Sequence, residues 1–282
     1  MLIVHTVAEL RAAVAAWRKA GERIGFVPTM GNLHRGHLQL VRSAREKSQR
    51  VVVSVFVNPL QFAAGEDFDR YPRTLAQDQE GLRQVNCDLL FAPSVREVYP
   101  KGLEGLSRIS VPGIADILCG QHRPGHFDGV ATVVNILFNL VQPDAAWFGE
   151  KDWQQLQIVR RMVSDLRLPI VIVGVPTERD TDGLALSSRN QHLSPSERTL
   201  APVLYQTLLR AAKRLQAAER DYIKIQSDAV RELQRTGFVP QYVEVRTPEL
   251  DPPTPETREW IVICAAYLGS TRLIDNVKIK LA

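Results

Sequence analysis

The segment Phe26-Val-Pro-Thr-Met-Gly-Asn-Leu-His-Arg-Gly-His37 sets two histidines and two glycines where an apolar run turns into a helix-compatible stretch. Gly31 and Gly36 allow close approach to the backbone, and a helix start at this place offers unpaired N–H groups and a positive dipole end to a phosphate. His34 and His37 lie three residues apart, so in a helical or near-helical turn both side chains reach one polyphosphate. A metal site is the other use of two histidines at this spacing, but no third ligand stands beside them in sequence. Neither GxxxxGK[ST] nor GxGxxG occurs, so the P-loop and dinucleotide-binding readings lack their defining residues.

Three further clusters carry chemistry of the same kind. In Val57-Asn-Pro-Leu-Gln-Phe62, Pro59 stops the most apolar strand and releases Asn58 and Gln61 onto a loop. Neutral amides suit a small hydroxy acid, because they bond its hydroxyls and carboxylate without an ion pair that would hold the reacting oxygen back. The same residues also make an ordinary polar turn. Trp147-Phe-Gly-Glu-Lys-Asp-Trp-Gln-Gln155 again runs from strand to helix. Lys151 near that helix start opposes the helix dipole, so local stability does not account for it and phosphate binding does. Gln155 follows one turn later on the same side. Asp182-Gly-Leu-Ala-Leu-Ser-Ser-Arg-Asn190 supplies two hydroxyls and a guanidinium in succession, suited to clamping a polyphosphate from a mobile loop and also ordinary loop composition.

The elements that must position these clusters alternate. Thr6 and Glu9 form a capping-box pattern ahead of Val7, Leu10, Val14 and Trp17 at helical spacing. Strands are expected at residues 24–27, 51–57, 88–91, 145–148 and 170–175. Helices are expected at 38–47, at 75–85 behind a Thr74/Gln77 capping box, at 130–140 and at 153–166. Alternation of this kind implies a parallel sheet covered on both faces. After Asp180, Ser194-Pro-Ser-Glu197 caps a long helix expected to run to Ala218, and a second helix follows at 222–235. Three antiparallel strands then follow at 241–246, 260–266 and 272–276. The expectation is an α/β domain at 1–180 and a smaller α+β domain at 181–282.

With 45% hydrophobic residues, the 282-residue chain can bury a substantial core. Its 35 Lys+Arg and 31 Asp+Glu are evenly mixed, so the net charge of +4 and the pI near 9.0 do not make it a nucleic-acid binder. Cys87, Cys119 and Cys264 are far apart, as in a reduced protein. Glu9 and Arg11 interrupt what a secretory signal would need, and no segment approaches membrane-spanning length, so a cytoplasmic location is expected.

These clusters, with Glu66-Asp-Phe-Asp-Arg-Tyr-Pro-Arg73, Arg123-Pro-Gly-His-Phe-Asp-Gly-Val130 and Gly269-Ser-Thr-Arg-Leu-Ile-Asp-Asn276, resemble the pantothenate synthetase (pantoate–β-alanine ligase) family from about residue 24 onward. The HxGH element alone marks a wider superfamily of nucleotidylyltransferases and class I aminoacyl-tRNA synthetases. The more specific part is Pro28-Thr-Met-Gly31 with Phe56-Val-Asn-Pro-Leu-Gln-Phe62. The resemblance implies a Rossmann-like, nucleotidylyltransferase-type domain with a C-terminal lid, a homodimer, and ATP with Mg2+. It implies that pantoate and ATP give pantoyl-adenylate and pyrophosphate, after which β-alanine displaces AMP.

By position, the resemblance sets ATP against Met30, Gly31, Asn32, Leu33, His34, Arg35, Gly36 and His37, and against Gly149, Glu150, Lys151 and Asp152. Glu178, Leu186, Ser187, Ser188 and Arg189 complete that set. His37, as proton donor, His34 and Lys151 would be catalytic. Gln61, Gln155 and Asn58 would hold pantoate, Gln61 would also lie near β-alanine, and His126 would line the pocket. Asp78 is the candidate magnesium ligand. Asn32, Asn135 and Glu178 stand where the family commonly has Ala, Lys and a small apolar residue. Two rivals are a plain nucleotidylyltransferase, which would keep the adenylate as product, and an RNA-binding module, against which the mixed charge argues.

Overall fold

The β-branched run after Arg50 becomes an interior strand: Val51, Val52 and Val53 are each 0% exposed, as a strand covered on both faces requires. The computed structural model of the protein describes residues 1–62, 66 and 68–281. Asp67, within the Glu66–Arg73 motif, lies outside the described residues. The chain divides into two compact units, Met1–Glu150 with Gln154–Pro176, and Lys151–Trp153 with Thr177–Ala282.

In the first unit the chain runs β1 (Leu2–Val4), α1 (Val7–Lys19), β2 (Ile24–Thr29), α2 (Arg35–Lys47), β3 (Arg50–Val55), α3 (Leu75–Gln84), β4 (Leu89–Phe91) and α4 (Val95–Val98). It continues through α5 (Cys119–His122), α6 (His126–Val141), β5 (Ala145–Gly149), α7 (Trp153–Asp165, whose first residue falls in the second unit) and β6 (Val171–Val175). The six strands lie in the order β1-β4-β3-β2-β5-β6, all parallel, with Phe26 opposite Val52 on one side and Ala146 on the other. From β2 the chain first builds outward through β3 and later returns to place β5 on β2's other edge. The carboxyl end of β2 is therefore the topological switch point where open α/β sheets bind ligands. The Thr6–Glu9 capping box forms, a feature that stabilises a helix start by about 1 kcal/mol. Helix α6 crosses the loop after β3 so closely that a Cβ on Gly129 would stand 2.2 Å from the Leu60 carbonyl oxygen.

The second unit contains α8 (Pro195–Leu200), α9 (Val203–Gln216), α10 (Tyr222–Arg235), β7 (Phe238–Arg246), β8 (Glu259–Leu268) and β9 (Thr271–Lys280). Its strands form one antiparallel sheet, β7-β8-β9. Leu204, Leu208 and Leu215 of α9 and Ile225 and Leu233 of α10 pack with Trp260, Val262 and Cys264 of β8 in a single core.

Several expected boundaries move for identifiable reasons. The long helix from Ser194 breaks at Ala201–Pro202 into α8 and α9, because Pro202 has no N–H to continue the ladder and its ring crowds the preceding turn. Thr74 does not cap α3; its hydroxyl instead donates to the Asp78 carboxylate at 3.2 Å. The third strand ends at Val55, with Phe56 and Val57 already outside it. Helix α2 begins at Arg35 and α6 at His126, three and four residues before their apolar periodicity. Residues 177–180, expected in the first domain, belong to the second unit, where Arg179 pairs with Asp275 and Asp180 with Arg198.

Candidate active site

At the end of β2 the chain turns through Gly31 at φ 84° and Asn32 at φ 51° before α2 starts. Asn adopts this left-handed conformation more readily than Ala, which gives Asn32 a local reason to be there. A Cβ on Gly31 would come within 2.9 Å of Val55, so the close approach requires glycine. The turn is tied from behind by Asp78, which accepts from the Asn32 N–H at 3.0 Å and the Leu33 N–H at 2.7 Å.

His34 caps α2, its Nδ1 accepting from the Gly36 N–H at 3.2 Å, and the His34 N–H donates to His37 Nδ1 at 3.3 Å. The two rings lie against each other, tilted by 34°, with centroids 4.0 Å apart. Since each Nδ1 accepts, each neutral ring carries its proton on Nε2, which makes both Nε2–H groups donors. The spacing that put the pair on one side of a near-helical turn thus has a physical cause: the histidines complete the helix N-terminus themselves.

Asn58 is 1% exposed and Gln61 8%. Asn58 Oδ1 accepts from the Tyr99 hydroxyl at 2.7 Å and the Leu60 N–H at 3.2 Å, while Nδ2 donates to the Gly129 carbonyl and to Gln61 Oε1, each at 3.1 Å. A peptide N–H only donates and a peptide carbonyl only accepts, so the Asn58 amide has one permitted orientation. It fixes Gln61 in turn, with Oε1 turned inward and Nε2 outward toward Met30 Sδ at 2.9 Å. Burial pushes the Tyr99 phenol well above its ordinary range, so it remains a donor. Expected as a substrate contact, Asn58 has its amide engaged with protein groups and acts on Gln61. His126 Nδ1 donates to the Gln61 carbonyl at 2.7 Å, and Arg123 reaches the same carbonyl while pairing with Glu66 at 2.6 Å.

Of the two glutamines opening α7, Gln154 is buried, bonding the Cys119 N–H and the Ile114 and Ile117 carbonyls. Gln155, beside it, is half-buried. Gly149 ends β5 and Glu150 stays with the first unit, whereas Lys151 and Asp152 belong to the second. In that unit Glu178 and Leu186 pair through a backbone hydrogen bond, Arg179 and Ala185 form a bridge, and Ser187 caps a 3-10 turn at Ser188–His192 by accepting from the Arg189 N–H. The segment is a hydrogen-bonded hairpin leading into a capped turn.

Among the described residues no group of three or more His, Cys, Asp and Glu gathers as a metal site. Asp78, the magnesium candidate, is 2% exposed with both oxygens bonded to the glycine turn and Thr74, so it does not fit a metal ligand. Sequence reasoning missed Tyr99, Arg123 and Gln154 as supports. Arg123 sat inside a quoted motif, while Tyr99 carried no local signal.

A parallel sheet with a histidine-capped helix start at its switch point is a nucleotidylyltransferase-type α/β architecture. A family model for pantoate-beta-alanine ligase matches residues 2–278. The chain is 56% identical over 282 residues to the pantothenate synthetase of Pseudomonas fluorescens (strain SBW25), covering 100% of both. It superposes with a TM-score of 0.92 and 49% identity on pantothenate synthetase from Thermus thermophilus, covering 98% of this chain and 99% of that one. A pantoate-beta-alanine ligase from Francisella tularensis, complexed with Beta-gamma ATP and beta-alanine, matches at TM-score 0.83 and 35% identity, covering 98% and 97%. The chain belongs to the pantoate-beta-alanine ligase family, and its reaction is the ligation of pantoate to β-alanine.

Proposed function

We propose that the ligation runs through a pantoyl-adenylate, with ATP bound at the β2 switch point and by Lys151, Ser188 and Arg189. The observation that carries this reading is the adjacent His34–His37 pair, whose two Nε2–H donors stand at a helix N-terminus beside a glycine turn. The pantoate carboxylate attacks the α-phosphorus and expels pyrophosphate, leaving a mixed anhydride. The neutral amine of β-alanine then attacks the acyl carbon, AMP leaves with the bonding pair, and the amine proton passes to solvent. Negative groups converge in the first step, so fixed donors and cations dominate its catalysis.

Gln61 contributes by polarity. Because its carbonyl is turned to Asn58, it presents N–H to the ligand and matches a hydroxyl or carboxylate oxygen rather than an ammonium. Gln155 completes the hydroxy-acid contacts in this reading. Magnesium belongs to the proposal as an ion carried by ATP's phosphates and water rather than by a protein cage. A homodimer rests on the family resemblance and a cytoplasmic location on the charges that interrupt the N-terminal apolar run; among the described residues no helix is long and apolar enough to cross a membrane.

Pyrophosphate exchange tests the reading. With pantoate and ATP but no β-alanine, labelled pyrophosphate is expected to enter ATP. Exchange that strictly requires β-alanine would sink the adenylate in favour of a concerted reaction.

A further inference from the structure

The motif Gly269–Asn276 has no part in the chemistry above, yet its last two residues are buried and polar in mid-strand: Asp275 is 2% exposed and Asn276 6%. Strand interiors disfavour both residue types. Successive residues of a strand face opposite ways, so these neighbours reach separate segments. Asp275, on the side of Leu273, takes the Arg179 guanidinium in a bidentate pair at 2.6 and 2.8 Å, and that guanidinium also lies over the Tyr205 ring of α9. Arg179 further donates to the Gly183 carbonyl at 3.1 Å, bracing the hairpin that leads to Ser188 and Arg189. Asn276 faces the other way, and its Nδ2 donates to the Lys151 carbonyl at 3.0 Å. Nearby on that side Lys278 stands over the Trp153 ring, and Trp153 donates to the Pro248 carbonyl at 2.8 Å.

We propose that Asp275 and Asn276 are positioning residues that hold Lys151 and the 178–189 segment, two stretches more than twenty residues apart in sequence, in one frame on β9. The proposal rests on the reading of Lys151 and Ser188–Arg189 as phosphate contacts. Both stretches belong to the second unit, and β9 contacts each of them directly. The side chain of Lys151 is only 17% exposed and pairs with Asp152 at 3.7 Å, so the Asn276 bond fixes the backbone of a lysine whose side chain is already partly enclosed.

A double-mutant cycle on the full chain, read by pyrophosphate exchange with pantoate and magnesium ATP, tests it. Asn276→Ala is expected to slow exchange roughly 10- to 100-fold, as a small misplacement of a catalytic group does, with KM for pantoate unchanged. In the Lys151→Ala background the same change is expected to cost less than about 2-fold, because a residue acting through Lys151 has nothing left to position. Asn276→Ser, polar but too short to reach the carbonyl, replaces the Ala variant if that one melts below the assay temperature. Fully additive losses, or a rate that falls only in proportion to unfolded protein, would overturn the proposal. A native rate for Lys151→Ala would dismiss the phosphate reading beneath it. A slow Lys151→Ala beside a native Asn276→Ala would dismiss the positioning role alone.

Discussion

Asp78 and Asp275 are each 2% exposed, and each ties down a segment assigned to ATP, but with opposite kinds of partner. In the first unit Asp78 accepts from two peptide N–H groups and a hydroxyl, all neutral. In the second Asp275 faces a guanidinium. The difference follows from what each must hold. A tight turn in left-handed backbone presents its own N–H groups, and a carboxylate gathers them without any side chain from the turn. A hairpin has already paired its backbone, as Leu186 N–H to Glu178 carbonyl shows, and so must be held by a side chain. A buried charge pair fixes geometry firmly but leaves an uncompensated charge if one member is lost.

The largest expected effect breaks the charged side of this comparison. Arg179→Met strands the Asp275 carboxylate with little beyond the Asn276 N–H, and is expected to cost about 3–5 kcal/mol in denaturant unfolding at neutral pH. Burial is the strongest influence on this carboxyl and raises its pKa, while Arg179 opposes it. Without Arg179 the folded pKa lies further above the unfolded value near 3.8. Stability from such a group is fully present below the unfolded pKa and is lost as pH rises through the folded one. The deficit of the variant is therefore expected to shrink as pH is lowered from 7. A deficit independent of pH would mean that Asp275 is not the group left stranded.

A smaller effect is expected on the neutral side. Asp78→Asn turns an amide N–H toward one of two peptide N–H groups, leaving that donor unpaired at about 1–3 kcal/mol. The damage should be local: amide hydrogen exchange at Asn32 and Leu33 quickens while α3 remains protected. The same variant sharpens the metal question. If it left those amides unchanged and instead raised the magnesium concentration needed for half-maximal exchange, Asp78 would be a metal ligand and the turn-holding account would be wrong.

What the sequence made legible was local. The run at residues 51–57 reads as a buried strand because three consecutive valines suit no other place, although the strand itself stops at Val55, and His34 with His37 reads as a candidate site because their spacing matches one helical turn. The α8–α9 break was written in Pro202 and overridden by the apolar periodicity around it. The supports of the site were not legible, since each depends on a distant partner: Tyr99 reaches Asn58 across 41 residues and Asn276 reaches Lys151 across 125. β1 is three residues long, too short to show a period, and is recruited by pairing with β4.

The smallest effect concerns exposed carboxylates, where the two units behave alike. In the first, hydrogen bonds from Thr6 hold Glu9 below its usual range; in the second, Arg198 does the same for Asp182. A depressed folded pKa gives stability that is present above the unfolded value, near 4.5 for Glu9 and 3.8 for Asp182, and is lost as pH falls through the folded pKa. Melting temperature is therefore expected to be insensitive to these groups from pH 8 to about 5 and to drop below pH 4. Because Asp182 is 40% exposed, its pair with Arg198 is screened by water and salt. Arg198→Gln is expected to cost about 0.5 kcal/mol at pH 7, and that cost should fade in 1 M salt and vanish near pH 2. Melting curves at pH 7 and pH 2, with and without salt, check it. A cost that survived both would mean that Arg198 contributes through packing in the 180–198 turn, and the charge contrast between buried and exposed pairs would have to be redrawn.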